Sequence, residues 1–337
     1  KSKLLFKENL KTYNKNKKGK SRKISSAFAK EEKRITVHDF STSDNWVLAT
    51  PFEYEMKRQM ETDCRLLKKC GVKINRGILT GYNPVFVLAS SAAKDAILNK
   101  CTSDEERRLT EEILLPVLRG EDVSRYSAEW ADQWLVNTHN GMEGKFEAVD
   151  IEKLPTLKSY LDEYYDKISA RGDQGDTPYN LRNCAYLEDL SKPMIVWGEL
   201  SDKAKFALQQ GCVPLNTVFF MTGEHLEEIL AVLNSKAVLW YFHTFKCSYS
   251  GQGTARWLKY TVEEIPVMQT FSNELKEKVK QRMQKEQENE EEATGSASRM
   301  RRAFHCGLRK PERGLAALDG LQHQRKCHRG HSSIPEG

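Results

Sequence analysis

No stretch of this sequence reaches the roughly 18 apolar residues that a membrane-spanning helix needs, and no apolar segment of the secretory kind follows its basic N-terminus. Neither a membrane partner nor export is expected. The eight cysteines, Cys64, Cys70, Cys101, Cys184, Cys212, Cys247, Cys306 and Cys327, are scattered, without the close intervals of a disulfide scaffold. That usage fits a reducing cytoplasm. Paired Cys-x-x-Cys spacings are missing too, so His305, Cys306, His323, Cys327, His328 and His331 read as tail residues and not as a zinc site. A P-loop is absent: Gly251-Gln252-Gly253-Thr254-Ala255-Arg256 lacks the Lys-Ser/Thr pair and leads into a strand-like segment instead of a helix.

What the sequence does have is charge, unevenly placed. Residues 1–34 hold 13 Lys or Arg against 3 acids, with KNKKGKSRK from Lys15 the densest part, and residues 299–337 hold 9 against 3. The ends are therefore +10 and +6, which leaves −10 for residues 35–298 of a chain whose total is +6. Residues 1–34 contain too few apolar side chains for a core and predict a flexible basic arm; residues 293–337 predict a disordered tail. A domain that holds a duplex chiefly by neutralising phosphates is basic overall. If the acidic body grips DNA, it must use a local cluster, for which Arg171, Arg182, Lys203, Lys205, Arg256 and Lys259 are the candidates.

Periodicity predicts an α+β chain: a mixed sheet of short strands and hairpins flanked by helices, with disordered basic ends. Met56, Met60, Leu66 and Leu67 predict a helix over residues 53–70. Residues 72–79 alternate apolar and polar side chains before Gly81-Tyr82-Asn83-Pro84, which predicts a hairpin with residues 85–89. Residues 104–118 are amphipathic, although Pro116 should end or kink that helix. A short strand at 134–136, a helix at 157–168 and buried strands at 194–197 and 217–221 follow. Residues 226–244 predict a helix interrupted near Asn234; residues 257–262 predict a strand, and residues 271–292 a charged helix.

The segment 172–205 concentrates planar, aromatic and cationic side chains. Thr177, Tyr179, Asn180, Arg182 and Asn183 can read base edges, since Asn and Arg pair bidentately with adenine and guanine. The alternative is a polar turn that satisfies its own backbone. Gln252 joins the base-reading set, on a glycine loop that admits a nucleic-acid backbone. Lys203, Lys205, Arg171, Arg256 and Lys259 are expected on phosphates, with Arg256 also able to meet a guanine edge, whereas His139 and Asn140 read first as a loop that bonds its own backbone. Trp197, Phe206 and Trp257 are expected in the core. Catalytic groups are not expected: Asn83-Pro84-Val85-Phe86 lacks the second proline of an adenine-binding catalytic loop, and Glu274-Leu275-Lys276 is a chance string in a charged helix.

The run TPYNLRNCAY from Thr177, followed by KPMIVWGELSDKAKFA from Lys192, resembles the TaqI-like C-terminal specificity domain of adenine-specific DNA methyltransferases and fused restriction-modification enzymes. GILTGYNPVFV from Gly77, LPVLRGEDVSRY from Leu115, NTHNG from Asn137, FFMTG from Phe219, LNSK from Leu233 and GQGTARWLKYTVEEIP from Gly251 are colinear with it. The resemblance implies a target-recognition domain at residues 71–270, with residues 35–70 a linker and helix from the end of a preceding methyltransferase domain. It implies double-stranded DNA as partner, with His139 and Asn140 among its contacts on that ground alone, no cofactor or metal in this chain, S-adenosylmethionine on the upstream catalytic domain, and Mg2+ if an endonuclease domain is present. The start at Lys1 fits a piece of such an enzyme that would not methylate alone. Two alternatives stand beside it: a free-standing specificity subunit recruiting separate catalytic chains, and an enzyme active in its own right.

Overall fold

The computed structural model describes residues 47, 49–268 and nine positions between 273 and 285. The expected arm 1–34 and tail 293–337, with its His and Cys residues, lie outside these. The chain divides into two compact units, residues 1–62 and 63–337. In the first, the helix Pro51–Asp63 begins at a reciprocal cap in which Thr50 N–H donates to Glu53 and Glu53 N–H to Thr50 Oγ1. That helix stops short of the expected residue 70, because Cys64–Leu66 become a strand.

In the second unit the strands run β1 (Cys64–Leu66), β2 (Lys73–Arg76), β3 (Val87–Leu88), β4 (Leu114–Leu118), β5 (Trp134–Val136), β6 (Met194–Gly198), β7 (Phe206–Gln209), β8 (Val213–Pro214), β9 (Val218–Thr222), β10 (Ser248–Tyr249), β11 (Ala255–Arg256) and β12 (Pro266–Met268). One sheet has the order β2-β9-β6-β7 and is antiparallel throughout; the other, β3-β5-β4-β8, is mixed because β4 and β8 are parallel. β1 pairs with β12, and β10 with β11. The class is α+β.

The central strands β6 and β9 are buried on both faces, which is why each reads as an unbroken apolar run. Successive side chains nevertheless go to different cores. Met194, Val196, Val218 and Phe220 join a core with Leu118, Leu135 and Val136 of the mixed sheet. Ile195, Trp197, Phe219 and Met221 join a second core roofed by the helices Leu226–Leu233 and Lys236–Tyr241. Trp197 lies in register between Phe206 and Phe219, with ring centroids 5.4 and 5.9 Å away. The helix break expected near Asn234 has a physical cause. Its amide exchanges two hydrogen bonds with the backbone of Phe206 on edge strand β7, which ties the break to the sheet.

Four further local expectations are corrected. Residues 72–79 and 85–89 form no hairpin: β2 pairs with β9, β3 with β5, and Asn83–Phe86 is a helical turn that buries Val85 and Phe86. The helix expected through residue 118 ends at Ile113, and Pro116 lies in strand β4 opposite Trp134. Proline disfavours the helical conformation of the residue before it, so the strand begins early. Residues 257–262 are not a strand, since the ladder stops at Arg256 and Lys259–Val262 form a helical turn. The helix expected over 157–168 is two, Pro155–Asp162 and Tyr165–Ser169.

One buried carboxylate joins two helix starts. Glu106 accepts from Thr102 N and Oγ1 at 2.8 and 3.0 Å and from Thr156 N at 2.8 Å. Burial alone would raise its pKa, but these donors outweigh it and hold the group at about 2, below the ordinary 4.5. A depressed carboxylate stabilises the fold above its unfolded pKa, and the contribution is lost as the pH falls from about 4.5 towards 2. Glu106→Gln should therefore be less stable than the parent at pH 7, with the gap closing below pH 4. Urea midpoints measured across that range check it; a gap independent of pH would refute it.

Candidate nucleic-acid interface

Arg171 closes the helix Tyr165–Ser169 into the following loop, and it faces inward with 6% of its surface exposed. Its guanidinium donates to the carbonyls of Ile168, Thr80, Asp173, Pro178 and Asn180, and its carbon lies 4.3 Å from the Phe86 ring centroid. Burial lowers its pKa to about 10, so it stays a cation at neutral pH. The expectation that Arg171 binds phosphate is corrected: its donors are used within the fold.

The Thr177-Pro178-Tyr179-Asn180 turn is built in the same inward way. Thr177 Oγ1 donates to Asn180 Oδ1 at 2.5 Å and accepts from Tyr179 N, while Asn180 Nδ2 donates to Val149 O at 3.0 Å. Asn180 is 4% exposed, so its expected base-reading role is corrected too. Tyr179 donates its hydroxyl to Asp162, a bond that raises the phenol pKa to about 12. The polar-turn alternative describes Thr177 and Asn180.

The loop carrying His139 and Asn140 docks onto this turn. Leu181 N–H donates to Thr138 O, and Asn140 accepts from Asp176 N and donates to Asn183 Oδ1 at 2.5 Å. Gly175 is needed at the meeting point, where a Cβ would lie 2.5 Å from Asn140 Oδ1. His139 Nδ1 accepts from Gly141 N, and burial lowers the ring's pKa, so it is neutral with its proton on Nε2. Further along the segment, Arg182 and Asn183 stay outward. Arg182, its side chain 58% exposed, touches Asp173 at 3.1 Å, and Asn183 is exposed with no partner for Nδ2 among the described residues.

A second group begins three residues later, at Tyr186. Tyr186 donates to Arg76 O at 2.7 Å, and burial pushes its pKa up to about 12. Arg76 then reaches Glu199 Oε2 at 2.8 Å, and Arg256 places Nε and Nη2 on Glu199 Oε1 at 3.2 and 2.5 Å. The next residue, Gly77, has to be glycine, because the carbonyls of Pro214 and Leu215 press where any Cβ would be. Arg256 stands at the base of the β10–β11 hairpin, whose tip carries exposed Gln252 and whose flank carries Tyr249, 56% exposed. The adjacent loop is held by Ser201 N donating to Ala255 O and Ala255 N to Asp202. It presents Lys203 and Lys205 to solvent, and no acidic side chain among the described residues pairs with either. Lys259 pairs with Glu263 at 3.7 Å. An interrupted strip of donors thus runs from Asn183 and Arg182 through Arg76 to Arg256 and the hairpin.

Residues 115–267 match the model of the TaqI-like C-terminal specificity domain. Those residues are similar to such a specificity domain. Over 215 residues it is 21% identical to the type II methyltransferase M.XhoI of Xanthomonas vasicola, a match covering 62% of this chain and 36% of that protein. The chain thus spans about a third of that relative's length. Among solved structures it is similar to the type IIG restriction endonuclease BpuSI, at 13% identity and TM-score 0.44, over 69% of this chain and 28% of that one. It is also similar to the type IIL restriction-modification enzyme MmeI, solved in complex with DNA, at 12% identity and TM-score 0.43, over 59% and 25%.

Arg76 of this strip and the carboxylate that holds it, Glu199, are missing from the residues singled out in the sequence. No local motif marks either. They meet because β9 pairs with both β2 and β6, which brings together side chains 123 positions apart.

Proposed function

We propose that the specificity domain binds double-stranded DNA and selects the short sequence that a restriction-modification enzyme methylates at adenine. The observation that carries this is the strip of exposed planar and cationic donors, Asn183, Arg182, Arg76, Arg256 and Gln252, on a body whose net charge is −10. Selective donors on an otherwise acidic surface suit base readout better than general phosphate binding. Lys203 and Lys205 supply phosphate contacts beside the hairpin.

In the same proposal the methyl donor S-adenosylmethionine and the catalytic loop belong to a methyltransferase domain upstream, an endonuclease domain would bring its own Mg2+, and the whole works in the cytoplasm. The described residues do not fit the cofactor. Asn83 of the nearest catalytic-like string accepts from Thr80 Oγ1, its neighbours Val85 and Phe86 are buried, and Gly251-Gln252-Gly253 is a hairpin tip. Nor, among the described residues, could any group of three His, Cys, Asp or Glu hold a metal. No helix among them is long and apolar enough to cross a membrane.

Selection of bound duplexes from a random pool tests the proposal. Arg182→Ala should cost about 1–3 kcal/mol of discrimination at one position, whereas Lys203→Ala or Lys205→Ala should weaken all duplexes evenly and lower the salt slope by about 1. Equal loss across sequences for Arg182→Ala would move it to the phosphate contacts. Failure of the parent chain to enrich any sequence would sink the proposal.

A further inference from the structure

Glu199 is 14% exposed in its side chain, while the two arginines that clasp it are 45% and 41% exposed. The carboxylate therefore lies beneath two guanidinium groups that face solvent. Arg256 spends Nε and one hydrogen of Nη2 on Glu199; Arg76 spends Nε on Asn216 O at 2.6 Å and one hydrogen of Nη2 on Glu199. In both, the outer edge made by Nη1 and Nη2 is left with donors that have no partner among the described residues. That edge carries two parallel N–H groups, the pattern that guanine O6 and N7 accept in the major groove.

A stabilising role does not account for the arrangement, because ion pairs this exposed contribute little to folding. Phosphate binding does not require it either. A point charge on a mobile stem serves a phosphate, as Lys203 and Lys205 can, whereas a fork held in one plane loses little freedom on binding and penalises a wrong base. The pair also lies near the two outward groups already described, Arg76 accepting at its carbonyl from Tyr186, four residues after Arg182, and Arg256 standing at the base of the hairpin that carries Gln252.

We infer that Arg76 and Arg256 are guanine-reading residues of the specificity domain and that Glu199 is the positioning residue that fixes both forks. This rests on the DNA-binding reading above. The target sequence should accordingly contain two G·C pairs whose guanines these forks address.

The test is selection from a random duplex pool, with affinity against salt, on the full chain and on Arg76→Ala, Arg256→Ala, Arg76→Lys and Glu199→Gln, with melting temperatures alongside. The parent should enrich G at two positions. Each alanine variant should lose preference at one of them by roughly 10-fold or more while keeping it elsewhere. Arg76→Lys keeps the charge and loses the fork, so it should lose that guanine yet keep the parent salt slope. Glu199→Gln should relax both guanine positions together at little change in melting temperature. An even loss on all sequences with the salt slope lower by about 1 would make these arginines phosphate contacts and overturn the inference alone. So would a selected site without guanine, or Arg76→Lys behaving as the parent. A parent chain that binds no duplex would overturn the DNA reading and this inference with it.

Discussion

Arg171→Ala is expected to lower the melting temperature by roughly 6–20 °C, the shift that about 3–5 kcal/mol produces in a domain of this size. Its guanidinium serves five carbonyls from three stretches of chain, those of Thr80, Ile168 and residues 173–180. Removing it leaves buried acceptors unpaired and uncovers the face of Phe86. Lysine should not rescue the fold, because three donors at one point cannot follow a planar fork that reaches carbonyls on several sides. The turn at Thr177 to Asn180 rests on this cation, so preference for DNA sequence should fall together with stability. Arg182→Ala makes the contrast, with preference lost at an almost unchanged melting temperature. Thermal unfolding of both variants separates the roles. An Arg171→Ala chain with the parent's melting temperature and a lower salt slope would restore Arg171 to the phosphates.

How far the sequence shows the fold and the site depends on the range over which each residue is satisfied. Strands β6 and β9 are legible because both of their faces are buried and the run of apolar residues is local. The break at Asn234 is visible for a similar reason, although its partner Phe206 is not. Pairing across the sheet is not local, and it defeats the hairpin expected around Gly81. The same limit governs the site. Asn180 and Arg182 are equally plausible base readers by type, yet one turns in to Val149 O and the other points out, a difference made by loops distant in sequence. Arg171 looks like its basic neighbours until Thr80, 91 positions earlier, is placed beside it. For Arg76 the residue type carries no signal at all; its meaning comes from Glu199.

Trp257→Ala should cost a similar amount, about 3–5 kcal/mol, and should damage the opposite end of the strip. The indole is 1% exposed, stacked on Phe242 with centroids 3.6 Å apart and edge-on to Phe206 at 5.3 Å. Its Nε1 donates to Ser201 O at 2.7 Å, its backbone N–H to Glu199 O at 2.8 Å, and its carbonyl accepts from Trp197 Nε1 at 2.9 Å. Both the loop with Glu199 and Lys203 and the hairpin with Arg256 are therefore seated on this one residue, the loop through Ser201 O on the indole itself. Alanine removes the seat and leaves Ser201 O unpaired, so the preferences owed to Gln252 and Arg256 should be lost. Those owed to Arg182 and Asn183 should survive below the melting transition, since they are mounted on the other core, where Leu181 and Leu187 pack. Trp257→Phe keeps an aromatic stack and loses only the indole donor; it should cost about 1–2 kcal/mol and retain the full preference. Pool selection with the two variants decides between a hairpin seated on the second core and a recognition surface that fails as a whole. If Trp257→Ala erased the preferences of Arg182 and Gln252 together at a temperature where the chain is still folded, the two halves of the strip would not be independently mounted.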